Sequence, residues 1–266
     1  MTVPWLARQR AAPDAELALV CIPPAGGGAA GFHRWGAVVG DDIEVYGTAL
    51  PGRERRFAEP ACSSMTAVAD PLAEAVAALP LPVVLFGHSM GGLIGLEIAH
   101  RLTAAGRPPA ALIVAGSQAP ARRLHRISLS TMDDDRLVAW LADLGGLPVE
   151  LLDDRHVLSV LLPTLRADLL LCETYQYRAA APLACPVHAF AGTDDPFVTV
   201  RDMRGWADVT TGAFHQQELS GGHFFVRTAR DEVTAAIRQA CGLPERREPA
   251  LAGTAVNLID NTTHEG

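Results

Sequence analysis

Gly87-His88-Ser89-Met90-Gly91 sets one hydroxyl between two glycines. A serine so placed is a useful nucleophile only when a base takes its proton. The pentapeptide alone is a modest signal, and its flanks strengthen it. Val83-Val84-Leu85-Phe86 reads as a buried strand directly before it, and Leu93-Ile94-Gly95-Leu96-Glu97-Ile98-Ala99 reads as a helix directly after. A strand, a sharp turn and a helix hold a serine at a strained elbow, where side chains on either side would collide. The competing reading is a glycine-rich turn with a solvent-facing serine.

The nucleophile reading requires an acid and a histidine later in the chain, in that order. Of nine histidines, His223 alone lies in a loop between the last strand pattern and the last helix pattern, in Ser220-Gly221-Gly222-His223-Phe224-Phe225. Ala191-Gly192-Thr193-Asp194-Asp195-Pro196 follows the preceding strand pattern and offers two carboxylates. Asp195, three positions after Gly192 and stiffened by Pro196, is the expected orienting acid, with Asp194 left to face solvent or cap the turn. Negative charge growing on a substrate oxygen needs two donors, and the N–H after the nucleophile, that of Met90, is one. The second is expected from Pro23-Pro24-Ala25-Gly26-Gly27-Gly28, where small residues let the backbone approach a ligand. Ala25 is the first choice there and Gly26 the second.

These residues need a frame. Apolar runs at Leu17 to Ile22, Ile43 to Thr48, Val83 to Gly87, Leu112 to Ala115 and Val187 to Ala191, with a weaker one at Phe214 to Leu219, read as strands. Helical patterns at Val68 to Leu79, Leu93 to Ala104 and Phe225 to Cys241 alternate with them. The expected class is α/β, a mostly parallel sheet with helices on both faces. From Ser130 to Tyr177 the pattern is helical throughout, which marks an insertion, either extra core helix or a cover over substrate. A single domain over 1–244 is expected, with the insertion at about 120–180 and a flexible tail from 245 to 266.

Gly26-x-Gly28-x-x-Gly31 matches the dinucleotide fingerprint, but three residues separate strand from first glycine and no acid ends the Ile43 to Thr48 strand for a ribose. Neither Gly-Lys-Ser/Thr nor His-Glu-x-x-His occurs, so no cofactor and no metal is expected. Lys plus Arg number 22 against 30 Asp plus Glu, a net charge of −8, which argues against a nucleic-acid surface. Five scattered cysteines without a Cys-x-x-Cys suit a reducing cytoplasm. No apolar run suits a secretory leader or a membrane span.

With these residues in place the chain resembles the type II thioesterases, the discrete editing hydrolases of polyketide and nonribosomal peptide synthesis. The likeness spans nearly the whole domain. It rests on Gly87 to Gly92, Pro23 to Gly27, Leu50-Pro51-Gly52-Arg53-Glu54-Arg55-Arg56, Leu162-Pro163-Thr164-Leu165-Arg166-Ala167-Asp168 and Gly221-Gly222-His223-Phe224. It departs at Pro24, where relatives often carry histidine. The resemblance implies an α/β-hydrolase fold whose insertion is a lid over an acyl chamber. It also implies an acyl thioester on the phosphopantetheine arm of an acyl or peptidyl carrier protein as substrate. A monomer in the cytoplasm is expected. Ser89 would attack, His223 would act as base and then acid, and Asp195 would orient it. Carriers of this kind are acidic, so a positive patch is expected for docking. Arg122, Arg123 and Arg126 are the favoured patch, and Arg53, Arg55 and Arg56 are assigned to folding. Two readings stand beside this one, a general small-molecule ester or thioester hydrolase and a nucleotide-binding or non-enzymatic module.

Overall fold

Strand residues whose side chains alternate between two faces must be apolar on both when both faces are covered. The computed structural model describes residues 5–122, 128–147, 154–178 and 181–244 and shows this pattern. Ala18, Val20 and Ile22 enter one core, while Leu19 and Cys21 enter a second on the opposite face; Leu85 and Phe86 divide in the same way.

Among the described residues seven strands form the sheet: β1 (Leu6–Arg8), β2 (Leu17–Ile22), β3 (Ile43–Thr48), β4 (Val83–His88), β5 (Ala111–Ala115), β6 (Val187–Gly192) and β7 (Phe214–Leu219). Their order is β1-β3-β2-β4-β5-β6-β7. All pairs are parallel except β1 with β3, where Leu6 faces Thr48. The helices are α1 (Trp35–Val38), α2 (Met65–Ala77), α3 (Met90–Ala104), α4 (Asp134–Asp143), α5 (Arg155–Thr174), α6 (Val200–Met203), α7 (Phe225–Thr228) and α8 (Arg230–Ala240). After β2 the chain crosses to β3 on one side, and after β4 it crosses to β5 on the other. The loops leaving β2 and β4 therefore diverge, which opens a crevice at the carboxyl ends of two adjacent strands.

The expected α/β class and all six strand patterns are present. Strand β1 was not anticipated, because three residues are too few to display an alternation. The helix expected over Phe225 to Cys241 is two helices, broken at Ala229 with φ −113° and ψ 39°. The insertion supplies α4 and α5. Helix α4 begins on Asp133, whose side chain accepts the Arg136 N–H at 3.0 Å. It ends where Gly145, at φ +71°, lets its own N–H and that of Gly146 return to the carbonyls of Ala142 and Leu141. Leu137, Leu141, Leu158, Leu162, Leu165 and Leu169 make a third apolar cluster, private to the insertion apart from its contact with Ala25. No helix among the described residues is long and apolar enough to cross a membrane. The tail at 245–266 and the side chains of Arg122, Arg123 and Arg126 lie outside the described residues.

Candidate active site

Ser89 leaves β4 at φ +53° and ψ −113°, a backbone conformation that L-residues seldom adopt and that costs of order 1–3 kcal/mol. Both flanking glycines are required by space. A Cβ on Gly87 would collide with the backbone of Gly91, and one on Gly91 would collide with the Ile22 carbonyl at the end of β2. The Ser89 N–H donates to the Ala115 carbonyl at 2.8 Å and so anchors the elbow to β5.

His223, in the loop between β7 and α7, brings Nε2 to 3.1 Å from Ser89 Oγ. Its Nδ1 lies 2.8 Å from Oδ2 of Asp195, in the loop after β6. Histidine and carboxylate are both buried, at 3% and 6% exposure, so their bond is little screened by water. Burial alone would raise the Asp195 pKa; hydrogen bonds from His223 and from the backbone N–H groups of Val198 and Phe197 reverse this and hold it below its ordinary value. The two N–H groups reach Oδ1 at 2.8 Å from Phe197 and 3.0 Å from Val198. Asp194 is exposed and accepts the Thr193 hydroxyl, leaving Asp195 as the acid that meets His223.

Nothing in the sequence around His88 marks it for a role beyond its place inside the elbow. It is buried, and its Nε2–H donates to the His223 carbonyl at 2.8 Å, which fixes the backbone of the histidine facing Ser89. Burial, followed by the nearby His223 charge, lowers its pKa to about 3, so its ring stays neutral. Phe197 was also missed. Its ring stands edge-on both to His223, at 5.5 Å, and to Trp140 of α4, at 5.4 Å. No pattern near Phe197 could announce this, since Trp140 arrives from the insertion.

Ser89 and His223 open into a cavity of about 410 Å³, walled by Leu93, Leu129, Leu141, Leu165 and Leu169, with polar groups at Gln118 and Glu173. Ala25 and Met90 border the same space. Met90 is the first residue of α3, so its N–H has no acceptor within the helix. Gly26, the second choice for a donor, gives its N–H to Asp168 Oδ2 at 2.8 Å. The N–H groups of Ala29 and Ala30, where the dinucleotide reading would seat a pyrophosphate, go to the Glu54 carboxylate at 3.1 and 2.8 Å. That rival loses its anion site. Arg53 pairs with Asp168 and Arg56 with Glu59, while Arg55 is exposed.

The family model of the thioesterase domain matches residues 18–241. A probable cadicidin biosynthesis thioesterase of Streptomyces griseus is 38% identical over 92% of this chain and 68% of its own length. The gramicidin S biosynthesis protein GrsT of Aneurinibacillus migulanus is 35% identical over 86% of this chain and 90% of its own. Among solved structures, the type II thioesterase BorB from the borrelidin biosynthetic cluster superposes with a TM-score of 0.81 at 35% identity, covering 88% of this chain and 96% of that one. Sequence and backbone agree over the same span, and on that ground the chain belongs to the thioesterase domain family, among its type II members.

Proposed function

We propose that this protein hydrolyses acyl thioesters carried on the phosphopantetheine arm of acyl or peptidyl carrier proteins, as an editing enzyme of polyketide or nonribosomal peptide assembly. The observation that carries the reading is the hydrogen-bonded line Ser89–His223–Asp195 opening into a mostly apolar cavity. The relatives' association with gramicidin S and borrelidin biosynthesis supports the carrier-bound substrate.

With Asp195 ionised and accepting from Nδ1–H, Nε2 of neutral His223 is free to accept the Ser89 proton. Oγ attacks the thioester carbon, and the oxyanion is met by the N–H groups of Ala25 and Met90. As the tetrahedral adduct collapses, the C–S bond breaks and His223 gives its proton to the departing sulfur, which leaves as the thiol. Water then repeats the sequence on acyl-Ser89, releasing a carboxylic acid and restoring the serine. Every step uses groups of this chain and one water.

Ser89→Ala should remain folded by circular dichroism and lose hydrolysis of an acyl-carrier by a factor of about 10³ or more. Mass spectrometry of the carrier reads this directly. Wild-type preference for acyl-carrier over a free ester of the same acyl group distinguishes the carrier-editing reading from a general esterase; equal turnover of both would overturn the former.

A further inference from the structure

Arg53, just after the β3 strand, and Asp168, on α5 of the insertion, meet across 115 positions of sequence. Nη1 lies 2.6 Å from Oδ2 and Nη2 lies 2.8 Å from Oδ1, the two-pronged geometry of a guanidinium on a carboxylate. The pair is buried, Arg53 at 8% and Asp168 at 3% exposure. A buried ion pair is a weak source of stability, since apolar residues of similar volume commonly replace one without loss. Stability alone does not explain two charges here.

Their other bonds suggest a purpose. Asp168 Oδ2 also accepts the Gly26 N–H at 2.8 Å, and Arg53 Nη1 also donates to the Gly27 carbonyl at 2.9 Å. Between Pro24 and Gly27 the chain makes a turn closed by the Gly27 N–H on the Pro24 carbonyl at 2.9 Å, with Gly26 at φ +74° in its third position. That is the type II form, and its common alternative differs by a flip of the peptide joining Ala25 to Gly26. A flip would swing the Ala25 carbonyl toward the Asp168 carboxylate, where repulsion opposes it; the Ala25 N–H belongs to the preceding peptide, so the pair acts on it by fixing where the turn, and with it the Ala25 Cα, stands. Leu165, one helical turn before Asp168 on α5, packs against the same turn, with Cδ1 3.2 Å from where a Gly26 Cβ would stand. The Thr164 hydroxyl completes the attachment by donating to the Gly52 carbonyl at 2.9 Å.

We propose that Arg53 and Asp168 are positioning residues that hold the Ala25 N–H in line for the oxyanion, so that the middle of α5 forms part of the catalytic frame as well as a wall of the chamber. The proposal rests on the role given to Ala25 above.

The paired variant Arg53→Met with Asp168→Leu removes both charges without leaving either one stranded. Assayed with a small acyl thioester, it should lose about ten- to a hundredfold in kcat, less than the 10² to 10³ that follows outright loss of an oxyanion donor. KM should stay within about twofold. An alkylboronic acid supplies the second readout: boron accepts a lone pair from Ser89 Oγ, the serine proton passes to His223, and a boron-bound oxygen occupies the oxyanion position. Its Ki should rise by the same factor as kcat falls, and the pH midpoint of kcat should not move, because the triad is untouched. Should the paired variant not fold, Asp168→Asn, which leaves one amide oxygen to serve both Arg53 and Gly26, is measured in its place and should show a smaller loss of the same pattern. A folded variant with kcat within threefold of wild type, or a fall in kcat with unchanged boronate Ki, overturns the proposal. A wild-type enzyme that binds boronate no better than Ser89→Ala does would instead count against the serine mechanism, a separable failure.

Discussion

At Ser89 the backbone is held at φ +53°, and what holds it is steric: Gly87 packs on Gly91, and Gly91 on the end of β2. Ser89 is thus set by its neighbours' lack of side chains, and the residues that face it are set by charge. Asp195→Asn keeps the shape of the acid but presents either an amide N–H or a neutral oxygen to Nδ1. His223 then favours the proton on Nε2 and cannot accept from Ser89. A fall in kcat of about 10⁴ with near-normal KM is expected, read by steady-state hydrolysis of a small thioester. That Ser89, His223 and Asp195 could meet was legible in the sequence because each sits at a strand end with turn residues around it. His88 and Phe197 were not. The contact of His88 is with a backbone carbonyl 135 positions away, and that of Phe197 is with an aromatic ring on an inserted helix.

The insertion behaves as an element of two parts. Its private leucine cluster joins α4 to α5, whereas Thr164, Leu165 and Asp168 fasten the middle of α5 to the body. Leu137 is fully buried in that cluster and belongs to neither sheet core. Leu137→Ala should therefore cost about 2–5 kcal/mol locally. Hydrogen exchange should show α4 amides exchanging tenfold or more faster, while β4 amides keep their protection; equal loss in both would mean that α4 and the sheet unfold as one unit. Sequence periodicity revealed the helices of the insertion and the limits of the parallel strands, since a fully covered sheet imposes unbroken apolar runs. It missed β1 and the break at Ala229, both decided by local geometry over a few residues. The attachment of α5 was hidden too, because Asp168 on its own reads as one more polar residue between leucines.

For the molecule as a whole, acid is the relevant stress. His88 stays neutral in the folded state down to about pH 3, whereas in the unfolded chain it takes a proton near pH 6.5. The stability this contributes is fully present above pH 6.5 and is lost as pH falls toward 3, by about 1.4 kcal/mol per pH unit in the middle of that window. His188, whose pKa burial and His215 lower to about 4, adds in the same direction to a smaller extent because it is only partly buried. Urea unfolding between pH 7 and 4 should show the decline, and His88→Gln should make the slope shallower by about one proton. An unchanged slope would mean that His88 titrates normally. The charge balance of −8 was plain from composition, but this sensitivity was not, since it depends on which histidines the fold encloses. The fastening of α5 also bears on transplantation. A donor insertion meant to reshape the cavity has its natural splice point at Pro163, inside α5, where the missing backbone N–H already interrupts the helical bonding. Grafts that end there leave Thr164 to Asp168 native, whereas grafts that run past it import a foreign partner for Arg53 and exchange the anchor of the Pro24–Gly27 turn along with the cavity wall.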